Sequence, residues 1–237
     1  MSQWMELVRL GNYGIGVSKG QYSGVSAFHS FGFNRTIGTT YETVWNNGGG
    51  IYAFPGSPVQ MSVVSSSTSD TMDVVITGLD SNYDILVESV TLDGTTAVTT
   101  EGSFLRINDA RIATGNNVGN ISISNGGTTY GYIQATYGVQ QSCVFTVPRD
   151  YNLWLNQVNF TSGTLNENKY MFARACAKYF EGPEIHFFET TFVTSQLSYD
   201  LNIPFYIPEK TDFSLEAKSS AQENELSIYI NGILAKN

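Results

Sequence analysis

At 237 residues, with 41% hydrophobic and 14% charged side chains, the chain is long enough to bury a core without disulfide or metal scaffolding and lies outside the disordered class. Its formal net charge is -9, and its 12 Lys and Arg are spread along the whole length. That excludes a phosphate-neutralising surface, so the expected partner is protein or sugar and not nucleic acid.

The stretch from Met1 to Leu10 carries Trp4, Glu6 and Arg9 where a signal peptide needs an unbroken apolar run, and no apolar stretch of about 18 residues follows. Synthesis in a cytosol, with no membrane partner, is the expectation. Residues 1–35 combine Gly11, Gly14, Gly16, Gly20, Gly24 and Gly32 with Trp4, Tyr13, Tyr22, Phe28, Phe31 and Phe33. They also hold Arg9, Lys19 and Arg35 against Glu6, whereas the rest of the chain is acidic. This segment has no helical period and cannot make its own core. It reads as an extended N-terminal arm, with the six aromatics as candidate interface residues. Burying each against a neighbouring subunit gains roughly 1.5–3 kcal/mol, which offsets the cost of ordering the glycines. The other reading is that the arm supplies edge strands to its own sandwich.

Residues 36–148 read as a β-sandwich. Val74 and Ile76 form a strand that ends at Gly78-Leu79-Asp80, and Leu86, Val90 and Leu92 lead to the hairpin signal Asp93-Gly94. Further turns fall at 46–50, 116–120 and Asn125-Gly126-Gly127. Residues 149–237 read as a second β-sandwich or jelly-roll-like region. Within it, Ala173, Ala175 and Ala177 favour a helix by propensity, but the alternation Met171 to Tyr179 predicts a strand. Phe213, Leu215 and Ala217 alternate with Ser214, Glu216 and Lys218, and Leu226, Ile228 and Ile230 alternate with Ser227, Tyr229 and Asn231. Both predict half-buried antiparallel strands. The fold class is therefore all-β, an antiparallel β-sandwich packed on a second one.

Chemistry-bearing patterns are sparse. His29 and His186 stand apart, outside any HExxH or CxxC context, and Cys143 and Cys176 lack a redox spacing. The glycines at the amino end lack a GxxxxGK[ST] motif, and Gly20-Gln-Tyr-Ser23-Gly24 has the wrong spacing for a nucleophile elbow. Glu181, Glu184 and Glu189 are near enough in sequence to raise sugar cleavage. Asp70, Asp73, Asp80 and Asp84 raise calcium, although acidic turn residues also serve simply to bond the local backbone. Trp45, Tyr52, Tyr130, Tyr132 and Tyr137 could equally stack on sugars or fill subunit interfaces. The expectation is no enzyme, with no catalytic residue, cofactor or metal.

Five passages taken in order resemble a family of virion structural proteins of tailed phages of aquatic bacteria, the marine podovirus-like and cyanophage-type particle proteins. They are KGQYSGVSAFHSFGFN (19–34), GTTYETVWNNGGGIYAFP (38–55), ITGLDSNYDILVESVTLDGTTAVTTEGSFLRIN (76–108), FTVPRDYNLWL (145–155) and IPEKTDFSLEA (207–217). The resemblance implies a particle component, located in the virion after synthesis in the host cytoplasm, and does not fix its place there; the expected role is an exterior capsid decoration or cement protein that acts through buried interface area. Its alternative is a tail component (collar, baseplate or fibre) that binds a receptor or glycan. Implied partners are the chain itself and other virion proteins such as the major capsid protein or tail proteins. Sheet edges in so β-rich a chain must be paired, covered or charged, and pairing them with symmetry mates builds a closed homo-oligomer, with a trimer as the expected order.

Overall fold

Alternating apolar residues put one face of each strand into a core, and the described strands, sixteen in number, sort into four sheets paired two by two. The computed structural model describes residues 13–163, 169–221 and 223–237. A short helix, α1 (Tyr13–Ser18), precedes β1 (Val25–Ile37) and β2 (Glu42–Thr43). Then come β3 (Val59–Ser65), β4 (Asp73–Leu79), β5 (Ile85–Thr91), β6 (Val98–Phe104), β7 (Arg106–Ile112), β8 (Ile121–Asn125) and β9 (Thr128–Ile133). The chain continues through β10 (Val144–Thr146), β11 (Tyr151–Ser162), β12 (Met171–Lys178) and β13 (Glu184–Phe192). It ends with β14 (Gln196–Ile207), β15 (Asp212–Ser219) and β16 (Asn224–Lys236).

Sheet I has the order β1-β16-β11-β14, and sheet II the order β10-β15-β12-β13 with β2 also on β15. They enclose a core of Phe28, Ile37, Leu153, Leu155, Phe160, Met171, Phe213, Leu215 and their neighbours. Sheet III (β6-β3-β8-β9) and sheet IV (β5-β4-β7) enclose a second core around Met61, Ile76, Phe104, Ile107 and Ile123. All ladders are antiparallel. The smaller sandwich, residues 59–133, is thus inserted between β2 and β10 of the larger one.

This organisation corrects the boundaries expected at 35/36 and 148/149. Val25–Ile37 is not an arm: β1 pairs with β16 from Val25↔Ala235 to Ile37↔Asn224, and the edge-strand reading of that segment holds. Its partner lies some 200 positions away, so no local pattern reveals the pairing. Residues 13–18 are helical where no period was visible, with Tyr22 packed so close that a β-carbon on Gly16 would lie 2.6 Å from its ring.

The strand predicted through Met171–Lys178 is present as β12. β15 departs from expectation, since it is buried on both faces: Phe213, Leu215 and Ala217 on one, Asp212, Ser214 and Glu216 on the other. Its two acids are held by arginines, Arg106 Nε on Asp212 at 2.7 Å and Arg174 on Glu216 at 2.6 Å. The Arg106–Asp212 pair joins the sandwiches. Its second contact, Nη2 to Oδ2, is 2.8 Å, and Nη1 donates to the carbonyls of Pro55 and Leu105. Phe54 and Tyr83 face the guanidinium, and the Thr146 hydroxyl donates to the same carboxylate.

Candidate interaction surface

One face of sheet I covers the large core, and the other carries aligned cross-strand rows fixed by register. Ala27, Ile233, Trp154 and Tyr206 form one row; His29, Asn231, Gln157 and Asp200 the next; Phe31, Tyr229, Asn159 and Ser198 a third. Side chains bond along these rows. Asn231 donates to Gln157 at 2.8 Å, Gln157 donates to Asp200, and Ser198 donates to Asn159 at 2.6 Å. His29 Nδ1 lies 2.8 Å from the Tyr229 hydroxyl with the rings stacked, and Trp154 lies 4.8 Å from Tyr206. A polar and aromatic face of this kind, on rigid strands, suits recognition of protein or sugar.

The face ends at β14, which among the described residues is an edge strand of sheet I and pairs with β11 alone. The ladder jumps there from Leu155↔Phe205 to Gln157↔Asp200, so residues 201–204, Pro204 among them, form a bulge opposite the single residue Asn156. Ile203 on this bulge is 86% exposed, flanked by exposed Phe205 and Tyr206. At the opposite edge, β1 borders a cleft of about 510 Å³ against the small sandwich, lined by His29, Phe31, Ile85, Asp109, Gln141 and Tyr229 among others. Burial raises the Asp109 carboxyl above its ordinary value, against the opposing pull of Arg111 and the Ala110 N–H. Gln141 Oε1 is buried there without a hydrogen-bond partner.

Of the six expected interface aromatics, the five described ones are not brought together. Trp4 lies outside the described residues. Tyr13 and Tyr22 stack on one another at 5.7 Å, and Phe28 is core at 7% exposure. Phe31 and Phe33 point to the opposite face of β1 from Phe28, Phe31 into the third row and Phe33 beneath Arg35. Two of the aromatics proposed for sugar stacking, Trp45 and Tyr52, are buried between the sandwiches, where the Tyr52 hydroxyl donates to the Tyr130 carbonyl at 2.9 Å.

The acidic candidates have separate partners. Asp70 is fully buried, accepting from the Ser65 hydroxyl and from the N–H groups of Val118 and Gly119. Asp73 takes the Thr91 hydroxyl, Asp80 closes its own turn with Asn82 and Asp84, and Asp84 pairs with Arg149. Glu189 accepts from Tyr41, and Glu184 stands 3.8 Å from His186. Cys143 and Cys176 are both free and buried. Burial first, then the Glu216 carboxylate, pushes the Cys176 thiol up to about 12. Cys176, Glu184 and His186 come together on sheet II, a grouping that no motif announces.

The fold and this face define an all-β protein of two antiparallel sandwiches. No protein-family model and no curated protein matches the chain. Among solved structures it is similar to the VP2 subviral particle of infectious bursal disease virus, with 10% identity and a TM-score of 0.21 over 90% of this chain and 77% of that one. It is also similar to the structure of the Gt strain of that virus, with 14% identity and a TM-score of 0.19 over 90% of this chain and 72% of that one. TM-scores this low do not establish a shared fold, and the likeness carries no functional weight.

Proposed function

We propose that this chain is a non-enzymatic structural protein of a tailed-phage virion, an exterior capsid decoration or cement protein that assembles through subunit interfaces. The observation that carries this reading is the β14 edge, unpaired on its outer side among the described residues, where Ile203, Phe205 and Tyr206 stand exposed beside the open face of sheet I. An edge with large apolar side chains is an association surface unless it is blunted. Here the bulge and Pro204 interrupt the ladder, which disfavours endless strand addition and leaves side-chain docking into a closed ring. The acidic charge suits the outside of a particle better than its genome-facing side, and the passages resembling phage particle proteins point the same way.

A tail component that binds a receptor or glycan is the second reading, favoured by the amide rows and the Trp154–Tyr206 pair on one flat face. Sedimentation of the full chain tests the first. The wild type should run as a trimer, and Ile203→Asp combined with Tyr206→Ala should yield monomers that keep the wild-type β-sheet circular dichroism spectrum and still unfold cooperatively. A wild-type monomer at all concentrations, or a variant that still forms trimers, would overturn it. Glycan binding that is lost in Trp154→Ala, in a chain that is monomeric, would favour the second.

A further inference from the structure

The geometry points to a divalent transition-metal site on the outer face of sheet II, built from Cys176, Glu184 and His186, with Zn2+ as the ion its donors suit. Cys176 stands opposite His186 in the β12–β13 ladder, and a register shift between Ala175 and Cys176 leaves Phe187 as an extra residue. That bulge aims His186 at the sulfur, since bulges reorient the side chains beside them. Glu184 lies two residues before His186 and so shares its face. One donor atom from each residue lies within 4.8 Å of the others, with the imidazole nitrogen 3.8 Å from the carboxylate.

A tetrahedral zinc holds such donors about 3.3–3.6 Å apart. The site must therefore close by about 1 Å around an ion, a shift within reach of the exposed Glu184 and His186 side chains while the buried sulfur forms the floor. Sulfur and nitrogen donors select against calcium and magnesium, which take oxygen ligands. The charges also balance: thiolate and carboxylate together neutralise the dication, with a neutral imidazole as third ligand. Binding releases the thiol proton to solvent, one per ion. Glu216, 2% exposed and anchored by Arg174, stands beside the sulfur and holds it as the thiol in the absence of metal, so the ion itself must drive the deprotonation. The fourth position faces outward, open to water or to a donor from another molecule.

This inference is independent of the virion reading. Untagged full-length protein, stripped with chelator and titrated with Co2+, should bind one ion per chain, showing a thiolate-to-cobalt charge-transfer band and tetrahedral d–d bands that Zn2+ bleaches. Cys176→Ser should abolish the charge-transfer band. His186→Gln and Glu184→Gln alter exposed side chains, so they should keep the wild-type melting curve yet weaken binding by about tenfold or more. Absence of the band in the wild type, or undiminished affinity in both His186→Gln and Glu184→Gln, would overturn the assignment.

Discussion

Two aspartates illustrate how burial acts in opposite directions on the same chemical group. Burial works against the charge on Asp70, yet hydrogen bonds from Ser65, Val118 and Gly119 outweigh it and hold the carboxyl below its ordinary value. Its stabilisation is therefore complete above the ordinary carboxylate range and lost as pH falls through the depressed value. Asp70→Asn turns one acceptor oxygen into a donor facing donors, and should cost about 1–3 kcal/mol in urea unfolding at neutral pH. Asp109 has the reverse sign, because burial raises it. Its penalty sets in as pH rises past the ordinary carboxylate value and levels off above the raised one. Asp109→Asn should accordingly raise the urea midpoint at neutral pH and give no such gain in acid. Equal gains at both pH values would remove burial of charge as the cause.

At the scale of the element, turns show what can be read locally and what cannot. Gly126 and Gly127, both at positive φ, join β8 to β9 as a two-residue hairpin. Asp93-Gly94 is also a tight turn, with the Thr96 N–H on the Asp93 carbonyl at 2.9 Å, but it carries the chain from sheet IV to sheet III instead of closing a hairpin. The turn chemistry was legible, whereas the sheet each flanking strand joins depends on distant partners. Gly94 has φ +55°, and a β-carbon there would lie 2.9 Å from the Thr68 backbone. Gly94→Val should therefore lower the melting temperature, losing about 1–2 kcal/mol from the left-handed backbone alone and more from the clash. An unchanged melt would mean that this loop is packed differently. β12 was legible because its alternation outweighed alanine propensity. β15 was legible as a strand but not as one buried on both faces, because its polar Asp212, Ser214 and Glu216 look solvent-facing until Arg106 and Arg174 are placed over two of them.

In the whole molecule, the insertion of one sandwich between β2 and β10 leaves the buried Arg106–Asp212 pair at the junction of the two. Removing one partner of a buried ion pair typically costs about 3–5 kcal/mol, so Arg106→Met or Asp212→Leu alone should lower the melting temperature strongly. The double variant should recover much of that loss. If the single variants melt like the wild type, the sandwiches are held by other contacts. The all-β class and the scarcity of catalytic motifs were evident from composition and spacing. The Cys176–Glu184–His186 grouping and the rows across sheet I were not, because both exist only once a bulge or a long-range register is set. Assembly in a particle is the central claim, and protein stoichiometry in purified virions tests it most directly. Hundreds of copies per particle, in a multiple of three, is the predicted result. Absence from the virion would contradict the structural role itself, and about a dozen copies or fewer would contradict the capsid location in favour of the tail.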